Sequence, residues 1–453
     1  MRKPYPLIMR KEDTPVCYYP VSFQPNSELL AVSFGSKRIY TTCLPHPDKK
    51  DEIIITTSLA EQLGIPDFIQ QLYVFFHQQT FSLGPLIGIF TSGFSSFPSK
   101  PIGERSDFFQ KLLSIQETLG VVPFIFGEQD LHWENQLING LFFAGGKWIN
   151  SEVPFPHVVY DRLPNRQSEK RKASQIIKER LQDEHVIPWY NPGFFNKLEI
   201  FDRLISDDDV IRYLPETQPF ISFSQAEKML SQYKSIYLKP KNGSLGLGIH
   251  QILYDRNKNY YYCRFREKDE NKLIKCSSFE QLYDKVLRTK SPERFIIQQG
   301  ISLLRVENLP IDFRVHTNKN QDGRWEVSAY AAKIAGSGSV TTHVHSGGVV
   351  KSLAQLFSQE EQQIYELQLK EAALALAHSI EKNVEGIIGE IGFDLGIDKN
   401  GEIWMFEANS KPGRSIFLHP DLKHFEFLTR KLALSFGIFL TEQAIKQPKE
   451  SSV

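Results

Sequence analysis

Residues 389–414, GEIGFDLGIDKNGEIWMFEANSKPGR, decide the fold. Two apolar-rich runs, 391–397 and 402–408, flank Asn400-Gly401, a pair suited to a two-residue turn whose central residues take positive φ. Such a turn pairs Lys399 with Glu402, and counting back along the ladder sets Asp394 opposite Glu407. Side chains alternate between faces with a period of two, so Asp394, Glu407 and Asn409 share one face. A four-residue loop would move the pairing but keep that face. Carboxylates directly opposite one another repel, and the arrangement persists when a cation lies between them. Asp, Glu and Asn are hard oxygen donors suited to Mg²⁺. A solvated acidic hairpin face is the competing reading of this pair taken alone.

Upstream of the hairpin, Ser358 and Glu361 form a capping box that opens a long helix to about residue 381. Before it come a strand at 324–332 ending at Lys333, and a strand carrying Asp312-Phe313-Arg314 with both charges on one face. The run 294–301, containing Gln298-Gln299-Gly300-Ile301, reads as a buried strand. Earlier still, a strand at 236–238 ends in Lys239-Pro240 and is followed by Asn242-Gly243-Ser244-Leu245-Gly246-Leu247-Gly248. Glycines at this spacing leave backbone N–H groups free to approach an anion. No Lys follows them, so this is not the phosphate loop ending in Gly-Lys-Ser/Thr, and the β-favouring residues beyond exclude a dinucleotide fingerprint opening a helix. A glycine loop between two strands, with Lys239 just before it, reads as a flap over phosphates. Downstream of the hairpin, a helix at about 422–444 precedes a polar tail, 446–453.

The N-terminal part divides in two. Residues 1–80 are β-rich, with candidate strands at 16–23, 29–34, 38–43 and 52–56 and a short helix at 58–63 ended by Gly64, a pattern compatible with a small barrel. Residues 84–187 change to an apolar run, a helical stretch at 107–119 and a second apolar run at 121–126, the rhythm of a βαβ unit in an α/β domain. The basic run Glu169-Lys170-Arg171-Lys172 opens an amphipathic helix and reads as a solvated face.

Lys plus Arg and Asp plus Glu both number 53, so no overall field draws the chain to nucleic acid or an acidic membrane surface. Apolar content of 41% indicates a globular chain. Charges interrupt the first thirty residues, which excludes a signal-peptide core, and no run is long enough to span a membrane. Cys17, Cys43, Cys263 and Cys276 lack metal-site spacing and read as free thiols in a reducing cytoplasm. His343 and His345 stand two apart, with no further nitrogen or sulfur ligand nearby in sequence to complete a metal site.

In this order, Asn196-Lys197, Lys239-Pro240 with its glycine loop, Asp312-Phe313-Arg314, Gly392-Phe393-Asp394 and Phe406-Glu407-Ala408-Asn409 with Pro412-Gly413 resemble the motifs of ATP-grasp enzymes over about residues 188–441. With Gln298-Gln299-Gly300 and Ser346-Gly347-Gly348, the chain resembles the YheC/YheD group of endospore-coat-associated ATP-grasp proteins, in particular its longer members. The resemblance implies an α+β fold: an ATP-grasp domain at 188–445 whose lid spans about 222–297, preceded by an α/β pre-grasp domain and the β-rich block.

It further implies that Lys197 and Lys239 contact ATP phosphates under a flap formed by Gly243, Ser244, Gly246 and Gly248, and that Gln298, Gln299, Gly300 and Ile301 pass the adenine. Arg314 and Lys333 match catalytic cations, Asp394, Glu407 and Asn409 match the ligands of two Mg²⁺ ions, and Lys411 with Gly413 lies where the substrate end begins. The sequence departs from many relatives at His343, where they carry Asn, and at Gln299, where they carry Glu.

The superfamily chemistry implied is ATP-dependent ligation of a carboxylate to an amine, sometimes a thiol, through an acyl phosphate. Neither substrate is identified by the residues. Two alternatives remain at this stage: a non-catalytic ATP-binding structural or assembly protein of the spore coat, partnered with coat proteins, and a kinase that stops at a phosphorylated small molecule.

Overall fold

The computed structural model describes residues 3–25, 27–241, 247–268, 270–288, 291–343 and 346–447. Strand takes 35% and helix 30% of the chain, in the α+β arrangement expected.

Among the described residues four sheets follow one another along the chain. The first has eight strands in the order Lys37–Tyr40, Ala31–Phe34, Thr80–Gly84, Gln71–His77, Tyr5–Arg10, Ile53–Thr56, Val16–Tyr19, Thr42–Pro45. Its two end strands are separated in the chain by Thr41 alone, which brings the ends of the sheet together at that corner. Tyr5–Arg10 and the 71–84 hairpin were not legible in the sequence. Helix Thr57–Leu63 stops at Gly64, whose φ of 71° is the left-handed cap that a glycine supplies without strain.

In the second sheet, Leu86–Phe90 lies parallel between Val122–Phe126 and Val158–Asp161, all three buried along their length. Parallel strands covered on both faces read as continuous apolar runs, and the helices Ser106–Leu113 and Gln116–Leu119 make the βαβ crossover.

The third sheet is antiparallel, in the order Thr217–Pro219, Phe295–Gln299, Ser235–Pro240, His250–Asp255, Tyr260–Glu267, Glu270–Cys276. Helices Phe223–Tyr233 and Phe279–Val286 cover one face, burying Met229, Leu230, Leu282 and Val286 against Ile236, Leu238 and Ile252. The fourth sheet runs Val349–Lys351, Trp325–Ile334, Leu309–Lys319, Glu390–Ile397, Ile403–Asn409, all antiparallel. Helix Gln359–Asn383 backs it and begins at the predicted Ser358/Glu361 capping box.

The last helix, Lys423–Lys446, couples the second and fourth sheets. Gly437 lies so close to Ile87 that a Cβ there would stand 2.6 Å from its Cδ1. Phe436 packs under Gly389 at the root of the acidic hairpin. Two sheets therefore share one apolar layer.

The hairpin differs from expectation in its turn. The loop holds three residues, Lys399-Asn400-Gly401, closed by Asp398 N–H donating to the Glu402 carbonyl at 2.9 Å. Gly401 has φ 85°, while Asn400 keeps negative φ, so the two-residue turn is corrected. The Asp398 carboxylate explains it: Oδ1 accepts from the N–H groups of Asn400 at 2.8 Å and Glu402 at 3.0 Å, holding the wider loop.

Candidate functional site

The wider turn shifts the ladder by one residue, pairing Ile397 with Ile403 and Leu395 with Met405. A bulge between Asp394 and Leu395 then absorbs Phe406 as an extra residue and restores Asp394 opposite Glu407 and Gly392 opposite Asn409. Because of the bulge, Phe406 and Glu407 both line the cleft between the third and fourth sheets, together with Asp394.

That cleft encloses about 480 Å³. The third sheet contributes Tyr237, Lys239, Gln251, Leu253, Arg264 and Gln298; the fourth contributes Asp312, Lys333, Asp394 and Glu407. Strand alternation explains the selection: Tyr237 and Lys239 are two apart, as are Gln251 and Leu253.

Charges interlock on its floor. Lys333 Nζ stands 2.8 Å from Asp394 Oδ1 and 3.0 Å from Asp312 Oδ1. Arg314 Nε lies 2.9 Å from Asp394 Oδ1, and its Nη2 donates to Oδ2 at 3.1 Å. Lys197 Nζ lies 3.2 Å from Glu407 Oε2. Burial pushes the Asp394 carboxyl up, but Arg314 and Lys333 outweigh it and hold the group well below the usual range. Burial pulls Lys333 down, and Asp312 and Asp394 more than reverse this. Asp312 moves the other way, raised by burial and by Asp394 against the pull of Lys333.

Lys239 has no carboxylate partner at contact distance among the described residues. Its Nζ donates to Gln298 Oε1 at 2.5 Å and lies 5.6 Å from the Phe406 ring centroid. Burial, and then the neighbouring Lys197 charge, pull its pKa down to about 8. A buried ammonium in a cleft with other cations is stabilised by an incoming anion.

The structure gathers most of the residues singled out from sequence. Lys197, Lys239, Gln298, Gln299, Ile301, Lys333, Asp394 and Glu407 all line the cleft, and Arg314 grips Asp394 from beside it. The Gln298 amide is committed, accepting from Lys239 and donating to Thr217 Oγ1 at 2.8 Å. Gln299 Oε1 accepts from Glu216 N–H at 3.1 Å, and Gly300 donates its N–H to the Ser235 carbonyl at 2.8 Å. Of the glycine loop, Gly243, Ser244 and Gly246 lie outside the described residues, as does His345; Gly248 has φ 73°.

Lys411 is not in the cleft. Its Nζ meets Asp161 Oδ1 at 2.5 Å in a pair that is almost wholly buried. Asn409 follows Glu407 by two residues on the same strand face but does not line the cleft.

Sequence reasoning missed Asp312, Tyr237, Phe406 and Thr342 as site residues. Asp312 and Tyr237 were available from the period of two that links them to Arg314 and Lys239. Thr342, whose hydroxyl donates to Asp312 Oδ2 at 2.5 Å, carried no local signal.

The donor set fits a hard divalent cation. Asp394 and Glu407 present carboxylate oxygens across one ladder rung, with Asn409 paired to Gly392 two residues along. Lys333, Arg314 and Lys197 now neutralise these carboxylates, so a metal would share them. Among the described residues no three His, Cys, Asp or Glu side chains cluster to hold an ion, so an amide such as that of Asn409 would have to complete the set.

Two facing sheets, a lysine at the end of a strand of one and opposed acids on a hairpin of the other define the ATP-grasp class of nucleotide-binding proteins. The model of YheC/D-like ATP-grasp domains matches residues 186–440. Endospore coat-associated protein YheD of Bacillus subtilis (strain 168) is 38% identical over 425 residues, 93% of each chain. Endospore coat-associated protein YheC of the same organism is 25% identical over 282 residues, 61% of this chain and 76% of that one. Among solved structures, D-alanine–D-alanine ligase from Bacillus anthracis has a TM-score of 0.44 at 12% identity, covering 79% of this chain and 99% of that one. The chain belongs to the YheC/D-like ATP-grasp family. No helix among the described residues is long and apolar enough to cross a membrane.

Proposed function

We propose that the protein is an ATP-dependent carboxylate-amine ligase, working in association with the endospore coat. The observation that carries this reading is one cleft holding Lys197, Lys239 and Lys333 against Asp312, Asp394 and Glu407. The coat association rests on the names of the two relatives.

In the reaction, an oxygen of the substrate carboxylate attacks the γ-phosphorus, the bond to the β-phosphate oxygen breaks, and ADP leaves. The amine nitrogen then attacks the acyl carbon, the carbon–oxygen bond to phosphate breaks, and the amine loses a proton. Lys239 and Lys197 supply positive charge to the phosphates, while Arg314 and Lys333 flank the transferring group. Phosphoryl transfer needs charge stabilisation and alignment more than covalent help, and fixed cations in a partly dry cleft provide both. Mg²⁺, as two ions held by Asp394, Glu407 and Asn409, would neutralise phosphate oxygens and relieve the opposition of the two acids. The 222–297 segment acts as the lid, excluding water from an acyl phosphate that water would hydrolyse.

Calorimetry with ATP and Mg²⁺ tests the nucleotide half. Micromolar binding by the wild-type chain, lost or strongly weakened in Lys239→Ala and Glu407→Ala, is expected. ATP turnover in the presence of hydroxylamine tests the chemistry, since an acyl phosphate yields a hydroxamate. Binding without hydroxamate across a carboxylate panel would favour the assembly role instead, and no binding by a folded chain would overturn the nucleotide reading.

A further inference from the structure

The segment that supplies most of the third sheet and its covering helices carries a charge excess that the whole chain does not. Residues 222–297 contain fifteen Lys and Arg against eight Asp and Glu, in a protein whose net charge is zero. Register places four of these cations, Lys239, Arg264, Arg266 and Lys275, on the cleft side. Arg264 lines the cleft and stands opposite Leu273; Tyr262 stands opposite Lys275, and Arg266 opposite Asn271. Directly opposed and alternate residues share a face, so these six project toward the cleft mouth while Cys263, Phe265 and Cys276 turn to the helices.

This surface is open. Leu273 is 56% exposed, and Lys275 Nζ rests 3.7 Å from the Tyr260 ring centroid. The Arg264 side chain has no carboxylate partner at contact distance among the described residues, and its charge acts on the Tyr237 ring of the cleft wall. The strand Glu270–Cys276 is the last in its sheet, so one row of its backbone N–H and C=O groups faces outward. Asn271 Nδ2 donates to the Ser337 carbonyl at 3.2 Å, joining this edge to the loop that forms the far wall of the cleft. A chain lying along the edge strand therefore runs into the cleft mouth.

We propose that the edge strand Glu270–Cys276 and the basic face beside it bind an extended acidic segment of a polypeptide, whose Asp or Glu side chain is the carboxylate the cleft activates. The proposal rests on the ligase reading and names its substrate class. An open edge offers a polypeptide a ladder of main-chain hydrogen bonds, with alternate side chains meeting Arg264, Arg266 and Lys275. Sugar-phosphate backbone cannot form that ladder.

The test is fluorescence anisotropy of a labelled oligoglutamate peptide against the full chain, with ADP and Mg²⁺ saturating the nucleotide cleft. Binding that weakens at least about tenfold in Arg266→Glu/Lys275→Glu is expected. Slowed hydrogen exchange in residues 270–276 on peptide addition is also expected. Calorimetry of ATP on the same variant reports separately on the nucleotide site and should match wild type. Equal peptide binding by variant and wild type would overturn the proposal. So would absence of 270–276 protection, or stronger binding of a single-stranded oligonucleotide of equal charge. A wild-type chain that binds ATP but no peptide refutes the docking surface alone, whereas one that binds neither refutes the ligase reading beneath it.

Discussion

Asp394 faces Glu407 across the terminal hairpin because Phe406 is taken up as an extra residue between them and the turn. Without that bulge, the three-residue loop would set Phe406 opposite Asp394 and turn Glu407 to the helix-backed side. The two acids also differ in surroundings. The Asp394 side chain is 14% exposed and shared by two cations, while Glu407 is 28% exposed and pairs with Lys197.

Removing each acid should therefore separate stability from binding. Asp394→Ala leaves Arg314 and Lys333 less compensated in a buried setting, a change that costs about 3 to 5 kcal/mol when one partner of a buried pair is lost. Glu407→Ala should cost less than Asp394→Ala, because it removes one partner of a single half-buried pair. Both should abolish Mg²⁺-dependent nucleotide affinity. Urea unfolding curves beside calorimetry on the same preparations check this; equal stability losses would contradict the asymmetry.

Nucleotide affinity should depend on pH through Lys239. Its folded pKa of about 8 lies below the ordinary 10.5, so above pH 8 the free protein increasingly holds a neutral amine that no longer attracts phosphate. Affinity should fall as pH rises from 8 toward 10, and Lys239→Arg, which stays charged, should flatten that slope. The sign for folding is opposite: between 8 and 10.5 the unfolded chain binds more protons, so this group makes the free protein more stable as pH rises. Titrations of affinity and melting temperature over that window measure both trends.

Glu390 should behave as a structural anion between the second and fourth sheets. It is fully buried and accepts from Tyr160 Oη at 2.5 Å, Arg414 Nη2 at 2.7 Å and Arg162 Nη1 at 3.4 Å. Asn191 braces the same junction, donating to the Glu390 carbonyl at 2.8 Å and accepting from Gly389 N–H at 2.9 Å. Glu390→Ala should destabilise by about 3 to 5 kcal/mol because two guanidinium groups lose their shared partner. ATP affinity per folded molecule should stay unchanged, and thermal melts combined with calorimetry distinguish the two effects.

His316 predicts an acid-side instability. It is completely buried, and neither ring nitrogen has a hydrogen-bond partner among the described residues. Burial and the charges of Arg314 and Arg414 hold its pKa well below 6.5, so it folds neutral. As pH drops through 6.5 the unfolded chain gains a proton that the folded chain refuses, and stability falls. In His316→Leu this contribution should vanish, leaving a shallower loss between pH 6.5 and 5, measurable by urea midpoints. An unchanged slope would assign the acid sensitivity elsewhere.

Much of the site could be read from local pattern. Strand alternation predicted the shared face of Asp394 and Glu407, the spacing of Asp312 and Arg314, and Lys239 at a strand end before a glycine loop. The capping box at Ser358 and Glu361 marked the start of its helix. These signals are legible because period-two alternation and helix capping depend on residues only a few positions apart.

Tertiary structure decided what depends on partners distant in sequence. The pairing of Asp394 with Glu407 survived an incorrect turn only because a bulge compensated it, and the choice between three and two loop residues lay with the Asp398 carboxylate. Lys411 was read toward the substrate, yet a buried carboxylate 250 positions away claims it. The sequence by itself determined which faces carry charge. Only the packed sheets determined which charges meet, because a buried ion takes the partner that the fold brings within contact, whatever its distance along the chain.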